Sequence, residues 1–390
     1  MRVPDRAGAV AAKLAALLGA ATLATAGAAV LAGPASAATS TGDNGARWAL
    51  FVQTDNSAGN QVVAYHRAGN GTLTLAGTYD TGGLGGQLTG SVVDHLASQG
   101  GLTYDPRHGL LYAVNAGSNT VTVFAASGDR LYRKQVVSSG GDFPVSVAVH
   151  GGLVYVLNAL NGGSVQGYRV SYEGLSPLPG SNRPLGLDPS ATPQFVNTPG
   201  QIAFTPNGSA LVVTTKANGD DIDVFALGAN GRPAASPVVN PEPGTVPFAI
   251  TFDRGGHLVI ANAGTDALAT YAIHGDGTVT LLNSVGTGQT ATCWVAPAQD
   301  HGLFFASNAA SASVSGYSDT GSGTLTLLGQ AATDPGTVDA AATPGGRFLY
   351  VQTGGNGMVD EFSIDASGAL TNLGSVTVAG AAGGEGITAA

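Results

Sequence analysis

The stretch FAITFDRGGHLVIANAGTDALATYAIHGDGTVTL, residues 248–281, decides the fold. It reads as a short apolar strand, a Gly-bearing turn, a second strand rich in Val, Leu and Ile, a polar loop, and a third alternating strand that ends at Tyr271. The hairpin signal Gly-Asp-Gly then leads into a fourth strand. Alternating apolar residues bounded by Gly and Asp argue for strands, not helices. Asp-Gly suits the last turn because its central residues must tolerate positive φ.

The unit recurs along the chain. GLTYDPRHGLLYAVNAGSNTVTVF (101–124), VSVAVHGGLVYVLNALNGGSVQGY (145–168) and GQIAFTPNGSALVVTTKANGDDIDVF (200–225) follow the same plan. So do CWVAPAQDHGLFFASNAASASVSGY (293–317) and VDAAATPGGRFLYVQTGGNGMVDEF (338–362). Two columns fix the register. The third strand ends in an aromatic residue: Tyr65, Phe124, Tyr168, Phe225, Tyr271, Tyr317 and Phe362. The second ends in Thr or Asn: Thr54, Asn115, Asn158, Thr215, Asn262, Asn308 and Thr353. Four-stranded units repeating every ~40–50 residues are propeller blades. The sequence therefore predicts an all-β, seven-bladed β-propeller.

One blade is divided. RWALFVQTDNSAGNQVVAY (47–65) begins at the second strand, and GEGITAA (384–390) aligns with the opening strand of the other blades. The expectation is a ring closed by the C-terminal strand, which completes blade one and removes an exposed edge. Ahead of the propeller, Arg2, Arg6 and Lys13 precede an apolar run, and Ala35-Ser36-Ala37 forms a small-x-small site. This pattern reads as a secretory signal peptide over 1–37 and a short linker over 38–46, with the propeller spanning 47–390. An uncleaved membrane anchor is the alternative. The expected location is secreted, extracellular.

The chain has 15 Lys+Arg against 25 Asp+Glu, a net charge of −10. No clustered basic surface is visible, which argues against nucleic acid and anionic membrane as partners. A monomer is expected. The one cysteine, Cys293, cannot form an intrachain disulfide, so an apolar core must hold the fold.

In a four-stranded meander, connections alternate between the two faces of the disc. Loops from second to third strand, and from each fourth strand to the next blade, share one face, here called upper. His108, His150, His257 and His301 fall in lower-face turns and read as solvated turn residues, which leaves no expected metal or cofactor. The upper face carries two long insertions, DTGGLGGQLTGSVVDHLASQG (80–100) and SNRPLGLDPSATPQFVNTPG (181–200). Long loops in compact domains are commonly functional. A His–carboxylate pair with a nearby cation is an acid/base set able to open an ester-like ring. The upper-face candidates are His95, Arg183 and Glu385 as catalytic groups, with Asp94, Gln201, Lys216, Trp294 and Asp339 as substrate-binding groups.

Phrases such as YAVNAGSNTVTVF, FTPNGSALVVTTKANGDDIDVF and ATPGGRFLYVQTGGNGMVDEF resemble the lactonase family of seven-bladed propellers, which includes 6-phosphogluconolactonase and 3-carboxy-cis,cis-muconate cyclase. The resemblance spans 47–390 and lies mainly in scaffold motifs. It implies the fold, and an activity on lactones or related cyclic acids. Enzymatic members carry a Pro-His-x-His-like signature leading into a middle blade; here FPVSVAV (143–149) places Val145 and Ser146 there. Two functions stand open. One is hydrolysis or isomerisation of a lactone or related cyclic acid at the channel mouth. The other is a non-catalytic propeller that binds an extracellular carbohydrate, peptide or protein.

Overall fold

A computed structural model describes residues 48–390 except Tyr172. The leader and linker read from the sequence lie outside the described residues, as does Arg47. Seven antiparallel sheets form the ring of a seven-bladed β-propeller, each blade built from consecutive strands save the first. Blade one takes its innermost strand, Ile387–Ala389, from the C-terminus and pairs it with Ala49–Gln53. The register sets Ile387 opposite Val52 and Ala389 opposite Leu50. The expected clasp is present. Its main apolar anchor, Ile387, packs into the core shared by blades one and seven, with Ala389 against its edge.

Blade three departs from the four-stranded plan. Its fourth strand, Gly174–Pro177, reaches only the lower half of the third strand, Ser164–Ser171. Arg183–Pro184, at the start of the second insertion, pairs with Val165 and Ser164. An unpaired upper edge would leave backbone groups without partners, and the insertion covers it.

The aromatic column is packing, as its repetition implies: all seven residues are 2 % exposed or less. Several of the tyrosines also stitch neighbouring blades. The Tyr168 hydroxyl donates to Ser138 O at 2.6 Å, and Tyr317 to Val285 O at 3.2 Å. In each case the acceptor lies on the outermost strand of the preceding blade. The Thr/Asn column is buried too and caps strand ends locally. Asn308 Nδ2 donates to Ser313 and Ser315, and Asn115 Nδ2 to Thr120 and Thr122. Among the described residues, no helix is long and apolar enough to cross a membrane.

Candidate functional site

The repeat itself shows where the hub is chemically unusual. The residue after the Thr/Asn column is buried alanine in four blades: Ala116, Ala159, Ala263 and Ala309. Blade seven has Gly354. Blades one and four instead carry Asp55 and Lys216, each about 1 % exposed and each at positive φ. A second ring opens the innermost strands, where Gln201, Trp294 and Asp339 stand in register with Ser146 and Ala249. Charged groups are rarely fully buried unless paired, so these breaks in a repeated apolar pattern mark the hub.

The first insertion crosses the upper mouth of the channel as a strap. Its residues 95–99 bond to blades three, four and six and to the segment leading into the clasp. His95 N donates to Gly383 O at 2.8 Å, and Ser98 N to Glu385 Oε1 at 2.9 Å. The Ser98 hydroxyl donates to Val145 O at 2.8 Å, and Gln99 N to Gly200 O at 3.1 Å. Trp294 Nε1 donates to Ser98 O at 2.7 Å. The Gln99 amide then pairs with both backbone groups of Val295, at 2.8 and 2.9 Å. Lys216 ties the strap to the second insertion. Its ammonium donates to Ala97 O at 2.6 Å, Phe195 O at 2.7 Å and Thr198 Oγ1 at 3.2 Å. The insertions also touch directly, where Thr89 N donates to Gln194 Oε1.

At the strap four carboxyls, Asp55, Asp94, Asp339 and Glu385, are buried in the hub, and the Lys216 ammonium lies within the field of Asp94 and Glu385. Asp55 Oδ2 accepts from Glu385 N at 2.8 Å. Burial pushes Asp55 up to about 7, against hydrogen bonds from Glu385 N and Gln53. Burial likewise pushes Asp339 up to about 7, against backbone donors at Ala340, Ile387 and Gly100. Glu385 rises well above the carboxylate range, through burial first and then the charges of Asp94 and Asp55. Asp94 is also raised by burial, opposed by the Ser91 hydroxyl and the Lys216 charge. Lys216 is lowered by burial, opposed by Asp94 and Glu385. His95 is half-buried, and burial lowers its imidazole. Its Nδ1 and Glu385 Oε2 make no hydrogen bond.

Of the residues picked from sequence, Asp94, Lys216, Glu385 and Asp339 come together at the hub, with His95 and Trp294 at its margin. Gln201 is held in the adjoining wall, where its Oε1 accepts from Ile250 N. Arg183 does not join them. It lies at the outer edge of blade three, and its guanidinium is committed to the carbonyls of Gly180, Asn182, Pro233 and Ala234. The channel mouth is also not an open pocket, because the strap fills it. Two clefts, of about 420 Å³ between blades six and seven and about 470 Å³ between blades four and five, contain none of the picked residues.

The lower-face histidines lie in turns as expected, His108, His150 and His301 exposed, and two of the four gain an aspartate partner. His108 Nδ1 lies 2.6 Å from Asp105 Oδ2, and His257 Nδ1 lies 2.7 Å from Asp253 Oδ2. Each pair closes a first-to-second-strand turn. Asp55, Ser98 and Gln99 escaped the sequence reading. Asp55 was detectable as the acidic break in the alanine ring; the strap residues carry no comparable signal.

Fold and site together define a seven-bladed propeller with a strapped, carboxyl-rich hub. Residues 85–258 match the family described as "Lactonase, 7-bladed beta-propeller". Over those residues the chain is similar to that family, and the whole described chain is a seven-bladed propeller. Among solved structures, a candidate 6-phosphogluconolactonase from Bacteroides fragilis is 18% identical, with 90% of this chain and 99% of that chain covered and a TM-score of 0.70. The periplasmic gluconolactonase of Pseudomonas aeruginosa is 19% identical, covering 88% and 98%, with a TM-score of 0.69. At these identities the likeness carries the fold alone. No curated protein matches the chain significantly.

Proposed function

We propose that the protein is an exported lactonase-type hydrolase that opens a lactone or related cyclic acid at the upper hub. The observation carrying this reading is the corner where His95 meets the Gly383–Glu385 segment. There the His95 ring, its pKa lowered by burial, lies against Gly383, and two residues on burial pushes the Glu385 carboxyl well above the ordinary carboxylate range. Paired groups with oppositely displaced acidities are the usual mark of a general base and a general acid. His95 takes the proton of an attacking water. Water adds to the ring carbonyl, and the oxyanion that forms lies within the field of Lys216. Collapse breaks the ring C–O bond, and Glu385 protonates the leaving alkoxide. Export is supported by the small-x-small leader and by a fold neighbour that is itself periplasmic.

A second reading, a non-catalytic extracellular binding propeller, is favoured by one observation. The strap closes the hub over groups that are 5 % exposed or less. Hydrolysis requires the strap to lift for substrate entry and to close again so that His95 and Glu385 regain their buried places; binding at the outer loops does not. A screen of the mature protein against five- and six-membered lactones separates the two. Turnover that His95→Ala and Glu385→Gln abolish supports hydrolysis. Absence of turnover on every lactone supports binding.

A further inference from the structure

The strap is fastened by groups whose charge changes with pH, and this bears on how the hub opens. We propose that residues 94–100 form a proton-operated latch: protonated carboxyls hold the strap down, and their ionisation releases it. Geometry carries the inference. Every charged or titratable group around the strap can be named. Asp55 and Glu385 come from blade one and its clasp, Asp339 from blade seven, Lys216 from blade four, and Cys293 from blade six. Asp94 and His95 belong to the strap itself. Asp266 of blade five acts on Cys293, and its carboxylate accepts from Ala291 N.

Four buried carboxyls therefore share the hub with one buried ammonium, which acts on Asp94 and Glu385. Fully ionised, the set would hold three uncompensated negative charges, which a buried site does not tolerate. The closed state resolves this by keeping protons on the carboxyls. Glu385 is central because its Oε1 accepts the Ser98 amide, and burial outweighs that bond's preference for the ionised carboxyl. Asp55 anchors the Glu385 backbone from behind.

The sign follows from linkage. Closure raises the carboxyl pKa values, so closure is strongest below the ordinary carboxylate range, near pH ~4. It weakens as pH rises towards ~7, where Asp55 and Asp339 lose their protons in the closed state. Lys216, lowered to about 8 by the same burial, works in the opposite sense, since losing its proton on the alkaline side favours closure. An open strap lets water reach the carboxylates and relieves their repulsion. The lifted loop exposes the hub floor, and Trp294 loses its bond to Ser98 O.

Hydrogen exchange on the intact protein tests the latch without any substrate, so its outcome is independent of the hydrolase reading. Protection of the Ser98 and Gln99 amides, corrected for the intrinsic chemical rate, is compared at about pH 5 and about pH 8. Protection is expected to fall about tenfold for each unit by which closure raises a carboxyl pKa. The inner strands of blades two and five should keep theirs. Glu385→Gln, which preserves an acceptor for Ser98 but removes the charge, should shrink the fall. If that variant does not fold, Asp339→Asn is read in the same way. Unchanged strap protection across this range overturns the latch. So does an equal fall in every blade, or a fall that both variants keep in full.

Discussion

Ser98 and Glu385, 287 residues apart in sequence, meet at the hub, where the Ser98 amide donates to Glu385 Oε1 at 2.9 Å. This single contact joins the two devices that distinguish the molecule from a plain propeller. Ser98 belongs to the strap from the first insertion. Glu385 is delivered by the strand that closes the ring. Ring closure thus also places an acidic group at the hub, and the strap covers it.

The clasp should be essential to stability. Ile387 is 5 % exposed and anchors the closing strand, so Ile387→Ala should cost about 2–4 kcal/mol. Deleting residues 387–390 should cost more, because the inner edge of blade one is then left unpaired. Thermal melting of both variants checks this. A truncated protein that melts with the full chain would show that closure is not provided by these residues.

Lys216→Met should destabilise by about 3–5 kcal/mol, because it leaves Asp94 and Glu385 without their cation and two carbonyls without a donor. The damage should be local to the insertions. Urea unfolding gives the magnitude, and limited proteolysis should show new cleavage in 85–100 and 181–200 ahead of the blades.

Tyr168→Phe should cost about 1 kcal/mol, since it keeps the ring in the core but orphans Ser138 O on the preceding blade. Tyr168→Ala should cost about 3–5 kcal/mol by opening a cavity. Comparable losses in the two variants would mean that the hydroxyl stitch, not ring packing, dominates the column.

Arg183→Ala should leave turnover within about twofold of the parent, because the side chain ends on four carbonyls at the rim and does not reach the hub. Steady-state rates against His95→Ala settle the comparison. A loss for Arg183→Ala as deep as for His95→Ala would return the arginine to the reacting set.

The fold was legible because it is written seven times. The column from Tyr65 to Phe362 fixes the blades, and the isolated strand at Ile387 has no use except closure. The hub was legible only in part. Asp94, Lys216, Asp339 and Glu385 were reachable because face parity puts their loops on one side of the disc. Arg183 shares that side, yet parity says nothing about distance from the axis, and backbone carbonyls claimed its guanidinium. Ser98 and Gln99 act through backbone partners, for which sequence carries no pattern. Asp55 was hidden by its likeness to a turn residue until the alanine ring around it was seen.

The most direct test of the functional account is the pH profile of lactone hydrolysis, as kcat/KM, for the parent and Glu385→Gln. A bell is expected. The acid limb should lie below the ordinary histidine value of ~6.5, because His95 works neutral and burial lowers its pKa. The alkaline limb should report loss of the Glu385 proton, well above the ordinary carboxylate range of ~4. Glu385→Gln should remove that limb and lower the plateau by about 10²–10⁴-fold. A parent profile that Glu385→Gln leaves intact in height and shape would contradict the account.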